Sequence, residues 1–184
     1  EKLIRCFEDN QFLEIVKEAS IHVPDGIFPI ILARFKGYNS IRINFPQLIL
    51  ENSNELECKM AIVGSTEENL AFAVHNIKLE YPRIQIVYAT HGYRSFNEVY
   101  DDLSRIEKPH ILMIGMGSPI QEQWTSKLTS MLPRTFITNV GGALDIISGA
   151  KIRAPHYVQK MGLEWLYRLI REPRRIRRQF RIMR

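Results

Sequence analysis

Asp25 lies in the run HVPDG, directly behind a short apolar segment, and a carboxylate in such a place can act as general base toward a bound hydroxyl. Pro-Asp-Gly is equally a common turn triplet, so the residues alone leave both readings open. His91 in THGY is open in the same way, between a ligand contact and a capping or core histidine. Other familiar chemistries are missing: there is no G-x-x-x-x-G-K-[ST], no H-E-x-x-H, no paired C-x-x-C and no G-x-S-x-G. GMGSPI, starting at Gly115, lacks the third glycine of a dinucleotide fingerprint. Ser65 and Glu68 have the spacing of a capping box.

Elements must hold these residues in place, and from about residue 20 the sequence alternates two kinds. Short β-rich runs, SIHVP, KMAIVG, RIQIVYAT, HILMIGMG and TFITNVGG, read as strands. Between them TEENLAFAVHNIKLEY, FNEVYDDLSRIEK and IQEQWTSKLTSML repeat apolar residues at spacings of three and four, as helices do. The order predicts an α/β fold, a Rossmann-like parallel sheet with flanking helices, and ligands in such folds sit outside the carboxyl ends of the strands. The residues just past each run are the ones to watch: Asp25, Gly64-Ser65, His91-Gly92-Tyr93, 115–119, and Gly141-Gly142.

A chain of 184 residues with 45 % hydrophobic content builds one sizeable core, residues 1–150, with an appendage at 151–184. Residues 151–184 hold eleven Lys/Arg and two Glu, whereas residues 1–150 hold fourteen basic and eighteen acidic side chains. That asymmetry points to a polyanionic partner for the tail only. The appendage reads as a helix over residues 157–171 and a second opened by Pro173. In the second, Arg174, Arg177, Arg178 and Arg181 share one face, and Ile176, Phe180 and Met183 another. With Trp165 nearby, this is the make-up of a helix lying in a lipid interface, while the aromatic residues among arginines also suit a nucleic-acid arm. Two distant cysteines, Cys6 and Cys58, fit buried thiols in a reducing cytoplasm, and no eighteen-residue apolar run is present to span a bilayer.

PDG at 24–26, HGY at 91–93, GMGSPIQEQW at 115–124, VGGALDIISGAKIRAP at 140–155 and GLEWLYRLIREPRR at 162–175 together resemble the bacterial WecG/TagA/CpsF glycosyltransferases. The resemblance runs in order from about residue 10 to about residue 180. It implies inverting transfer of a sugar from a UDP-sugar donor to a polyprenyl-diphosphate-linked glycolipid acceptor in cell-surface polysaccharide synthesis. Asp25 matches the family's Pro-Asp-Gly aspartate and becomes the general base, and Arg42 matches an arginine that helps bind substrate. The segment RINFPQLI stands where the family usually has a T-G-x-D type segment, and the family's Thr/Asn-bearing strand is expected ahead of residue 1.

By the same resemblance His91 binds substrate, and Tyr93 and Asp145 fall near the nucleotide pocket, Asp145 facing uracil or ribose or else capping a helix. Gly115 and Gly117 let the backbone approach the donor, Gly141 and Gly142 join the substrate site, and Pro119 and Gln121 either bring the Gln121 amide to the donor's sugar or phosphate or simply start a helix. With no D-x-D motif the expectation is a metal-independent enzyme without cofactor, in which Arg168, Arg175 and Arg178 fold over the leaving diphosphate. A lipid-borne acceptor favours an anionic membrane surface over nucleic acid as the tail's partner. Trp165, Arg174, Ile176, Arg177, Phe180 and Arg181 would then contact the inner face of the bacterial cell membrane, with self-association of the chain a further expectation.

Overall fold

The computed structural model describes residues 2–23, 27–39, 43–152, 154, 155, 158, 166, 167 and 170. Helices α1 (Lys2–Glu8), α2 (Asn10–Lys17), α3 (Ile27–Phe35) and α4 (Phe45–Glu55) come first. Strands and helices then alternate: β1 (Lys59–Gly64), α5 (Glu67–Glu80), β2 (Gln85–Thr90), α6 (Phe96–Arg105), β3 (Ile111–Gly115), α7 (Ile120–Met131), β4 (Phe136–Asn139) and α8 (Ala143–Ile147). All strand pairs are parallel, in the spatial order β2-β1-β3-β4. The chain winds from β1 outward to β2, then returns past β1 to β3 and on to β4. The direction reverses between β1 and β3, and folds of this kind bind their ligands outside the carboxyl ends of the strands at such a point.

The pleated backbone sends successive side chains of each strand to opposite faces of the sheet, and here both faces are covered. Met60, Ile62 and Met113 pack with Leu50 of α4, Leu70 and Ile77 of α5, and Leu144 of α8. Ala61, Val63, Leu112 and Ile114 turn the other way onto Val99 and Leu103 of α6 and Leu128 of α7. Side chains buried on both sides explain why these strands read as near-continuous apolar runs. Each fully buried Ile or Leu contributes roughly 1.5–3 kcal/mol of transfer free energy, and the crossover helices supply the cover.

Helix starts follow local chemistry, with one surprise. Ser95 and Glu98 form a reciprocal capping box at the head of α6. At the head of α5 the N-cap is Thr66, whose side chain accepts from the Asn69 N–H, and not Ser65 as the Ser65–Glu68 spacing predicts. Ser65 has φ 62° and its side chain goes elsewhere. The strand expected at residues 20–24 is also not formed over its described part: residues 20–23 leave α2 unpaired, with Ile21 exposed and the His22 ring donating to the Val16 carbonyl at 2.7 Å. Two apolar residues flanking a histidine bury too little surface to compete for a place in the sheet. Cys58 is buried as expected, while Cys6 is only half-buried. Of the appendage, Val158, Leu166, Tyr167 and Ile170 are helical, and the rest of the expected helices lies outside the described residues.

The central strands end on glycines that touch. Gly64 pairs with Gly115, and a Cβ added to Gly64 would lie 2.4 Å from the Gly115 carbonyl oxygen. Gly64 also has φ +148°, a region closed to side-chain-bearing residues. Gly64→Ala should therefore lower stability by about 3 kcal/mol or prevent folding, since neither backbone can retreat without breaking the ladder. Urea denaturation beside the wild type checks this, and a loss under 1 kcal/mol would contradict it.

Candidate active site

Four loops meet at the carboxyl edge of the sheet, one after each strand. The floor between them is backbone. The Ser65 N–H donates to the Gly115 carbonyl at 3.1 Å, the Gly92 N–H donates to the Ser65 carbonyl at 3.0 Å, and a Cβ on Gly92 would stand 3.2 Å from Gly64 Cα. At Gly115 the space a side chain would take is filled: an added Cβ would meet Leu144 Cδ1 at 2.8 Å and the Gly141 carbonyl at 2.9 Å. Its missing side chain makes room for α8. Gly117, Gly141 and Gly142 behave differently, because a side chain there would meet nothing within 4 Å among the described residues. These three border open space, as the mouth of a ligand crevice requires.

The loop after β3 is held by Gln121. This side chain is buried, accepts from the Gly117 N–H at 3.1 Å through Oε1 and donates from Nε2 to Glu122 Oε1 at 2.9 Å. One lone pair of its carbonyl and one of its amide protons are thus committed to the loop and to Glu122. Pro119 follows a cis peptide bond and occupies the N-cap position of α7. Beside it the Thr125 hydroxyl lies 2.8 Å from both the Gln121 carbonyl and Asn139 Oδ1, tying α7 to the end of β4.

Asp145, in the first turn of α8, forms a clasp across the crevice floor. The Ser65 hydroxyl donates to its Oδ1 at 2.5 Å, and the Lys151 ammonium donates to its Oδ2. Burial pushes this carboxyl up, but the hydrogen bonds from Lys151, Ser65 and Asn69 and the charge of Lys151 outweigh it, so the group is held below the ordinary carboxylate range. Local sequence marks Ser65 only as a post-strand residue and helix cap, and it does not mark Lys151 at all. Ser65 is 80 residues from Asp145, and a six-residue spacing to Lys151 belongs to no regular element.

After β2 comes the loop bearing His91 and Tyr93. The Tyr93 N–H donates to His91 Nδ1 at 3.2 Å, which leaves the proton of a neutral ring on Nε2. Tyr93 is 78 % exposed at the rim. The loop is fastened by Arg94, whose Nη1 donates to Asp102 Oδ2 at 2.5 Å and to the Tyr88 hydroxyl at 3.3 Å, while that hydroxyl donates to the same carboxylate at 2.9 Å. Arg94 and then Tyr88 hold the Asp102 carboxyl low, and burial followed by the bond to Asp102 pushes the Tyr88 phenol up to about 12. Under this loop Phe96 meets the Trp124 ring edge-on at 5.2 Å, so the tryptophan of GMGSPIQEQW joins α6 to α7.

Asp25 and Arg42 lie outside the described residues, as do Trp165, Arg168, Arg174, Arg175, Ile176, Arg177, Arg178, Phe180 and Arg181. Among the described residues, no group of three or more His, Cys, Asp or Glu is placed to hold a metal ion, and no helix is long and apolar enough to cross a membrane.

A parallel sheet covered on both faces, with a glycine-rich crevice where the strand order reverses, defines an α/β protein of the kind that binds its ligand across the strand ends. The profile of the glycosyl transferase WecG/TagA/CpsF family matches residues 1–184, and the chain belongs to that family. It is 31 % identical over 172 residues to an N-acetylglucosaminyldiphosphoundecaprenol N-acetyl-beta-D-mannosaminyltransferase of Staphylococcus aureus strain MW2, covering 91 % of this chain and 67 % of the relative. The protein of the same name from strain MRSA252 matches at 31 % over 173 residues with the same coverage.

The Asp145 clasp carries a pH signature. Because the folded carboxyl lies below its unfolded value, its stabilisation is complete above the ordinary pKa of about 4 and is lost as pH falls through the lowered value. Asp145→Ala should cost about 1–3 kcal/mol near neutral pH by stranding Ser65 and Lys151. Asp145→Asn should also flatten the acid limb of the stability curve. Urea midpoints from pH 7 down to about pH 3 test both, and an acid limb as steep in Asp145→Asn as in the wild type would refute the assignment.

Proposed function

We propose that this protein transfers a sugar, with inversion, from a UDP-sugar to the saccharide of a polyprenyl-diphosphate-linked acceptor. The observation that carries the reading is the family match along residues 1–184, joined to relatives whose name specifies a diphosphoundecaprenol-linked N-acetylglucosamine acceptor and an N-acetylmannosaminyl group. The crevice supports it: open space borders Gly117, Gly141 and Gly142, and Tyr93 stands at the rim where a planar base can lie.

In this reading Asp25 takes the proton from the acceptor hydroxyl as the oxygen attacks the anomeric carbon and UDP departs from the opposite side. Charge then grows on the departing diphosphate. Backbone N–H groups at Gly141 and Gly142 and Arg168, Arg175 and Arg178 from the appendage receive it, in place of a divalent cation. Arg42 steadies the substrate. His91 Nε2, with Nδ1 already committed to the Tyr93 N–H, offers one donor toward the nucleotide. Asp145 stays ionised by virtue of its clasp and presents its remaining lone pairs to ribose or uracil. The basic and aromatic residues of the appendage, Trp165, Arg174, Ile176, Arg177, Phe180 and Arg181, attach the enzyme to the cytoplasmic leaflet, where the acceptor resides.

A panel of UDP-sugars, incubated with a short-chain polyprenyl-diphosphate N-acetylglucosamine and scored by UDP release, tests the reaction. Turnover should appear with a UDP-N-acetylhexosamine and persist in a metal chelator. Asp25→Asn should lower turnover by about 100-fold or more, the usual worth of a general base, with UDP affinity nearly intact. Loss of turnover in chelator, or an Asp25→Asn enzyme as fast as the wild type, would overturn the mechanism.

A further inference from the structure

The strongest feature outside the crevice is α3. Ile30 is buried, and on an ideal helix Ile31, Leu32 and Phe35 fall within roughly a 100° arc on the side away from it. They are 43 %, 53 % and 86 % exposed. The helix closes on Gly37, with φ +81°, through N–H donations from Gly37 to the Arg34 carbonyl and from Tyr38 to the Ala33 carbonyl, which present Tyr38, also exposed, just beyond this face. Ile31, Arg34 and Phe35 line a shallow open depression there.

Charge decides what this face meets. Residues 1–150 carry eighteen carboxylates and fourteen cations, yet residues 26–50 contain no Asp or Glu at all and three cations, Arg34, Lys36 and Arg42. An exposed apolar arc set in a wholly cationic stretch of an otherwise acidic body is the composition of an interfacial segment. A second copy of this chain would bring the same cations against themselves, which argues against self-association through this face. We propose that α3 is a membrane-docking helix: Ile31, Leu32 and Phe35 enter the interface of an anionic bilayer while Arg34 and Lys36 of the same segment meet lipid phosphates. This contact is separate from the basic tail. In sequence α3 begins directly after the Pro-Asp-Gly segment. The docking itself does not rest on the proposed reaction.

The test is co-sedimentation of the full chain, without donor or acceptor, on phosphatidylglycerol/phosphatidylcholine vesicles and on phosphatidylcholine alone. The double variant Leu32→Glu/Phe35→Glu is compared with a control of equal charge on α5, Phe72→Glu/Leu79→Glu, whose side chains are also exposed. Partition of the α3 variant onto anionic vesicles should fall about tenfold, and that of the control about twofold or less, because only the first also loses inserted apolar surface. Leu32→Ser/Phe35→Ser should lose partition in the same sense, which separates insertion from charge. Thermal midpoints matching the wild type establish that the variants are folded. Equal losses in the two Glu variants, or no loss in the α3 variant, would overturn the proposal. So would a lipid-free wild-type dimer that Leu32→Glu/Phe35→Glu converts to monomer in sedimentation equilibrium, since a second copy would then own the face. Because no sugar is transferred in the assay, its failure leaves the catalytic reading standing, and the reverse also holds.

Discussion

The contact between the ends of β1 and β3 constrains everything above it. Two strands that bear no side chain at their last paired residues let Gly64 and Gly115 come together backbone to backbone, and Gly92 then settles on Gly64. A methyl group at this point would force the strands apart at the spot where the winding direction reverses. The crevice floor is therefore made of peptide groups bonded to one another, and the polar side chains that shape the site come in from the sides. Asp145 reaches across from α8, Gln121 reaches back from α7, and Arg94 pins the loop from β2.

The two glycines of GMGSPI have opposite tasks. Gly115 is filled by Leu144 and the Gly141 carbonyl, whereas Gly117, with φ +80°, lines open space and hands its N–H to Gln121. A sequence presents them as equivalent, because the atoms that distinguish them come from a helix some thirty residues further on. The same holds for Ser65. Its local surroundings read as a helix cap, yet the cap is the neighbouring Thr66, and the positive φ of Ser65 turns its hydroxyl onto a carboxylate distant in sequence.

Where periodicity is long and caps are explicit, the chain declares itself. KMAIVG and HILMIGMG become the two central strands, and the helices between them lie within a few residues of the predicted spans because each must bury a stripe against the sheet. The described part of SIHVP, residues 20–23, forms no strand because so short a run carries little burial of its own. The family is legible from ordered blocks such as GLEWLYRLIREPRR. The Arg94–Asp102–Tyr88 cluster is not, since it joins a loop, a helix and a strand whose proximity exists only after folding.

Lys151 occupies an unusual post. It is the first residue of the basic segment, its N–H donates to the Asp145 carbonyl at 2.9 Å, and its ammonium grips the carboxylate that Ser65 also holds. The root of the appendage is thus riveted to the crevice floor by one main-chain and one side-chain bond. A pull on the polypeptide beyond that rivet is delivered to the end of β1 through Asp145, much as a lever transmits load through its pivot.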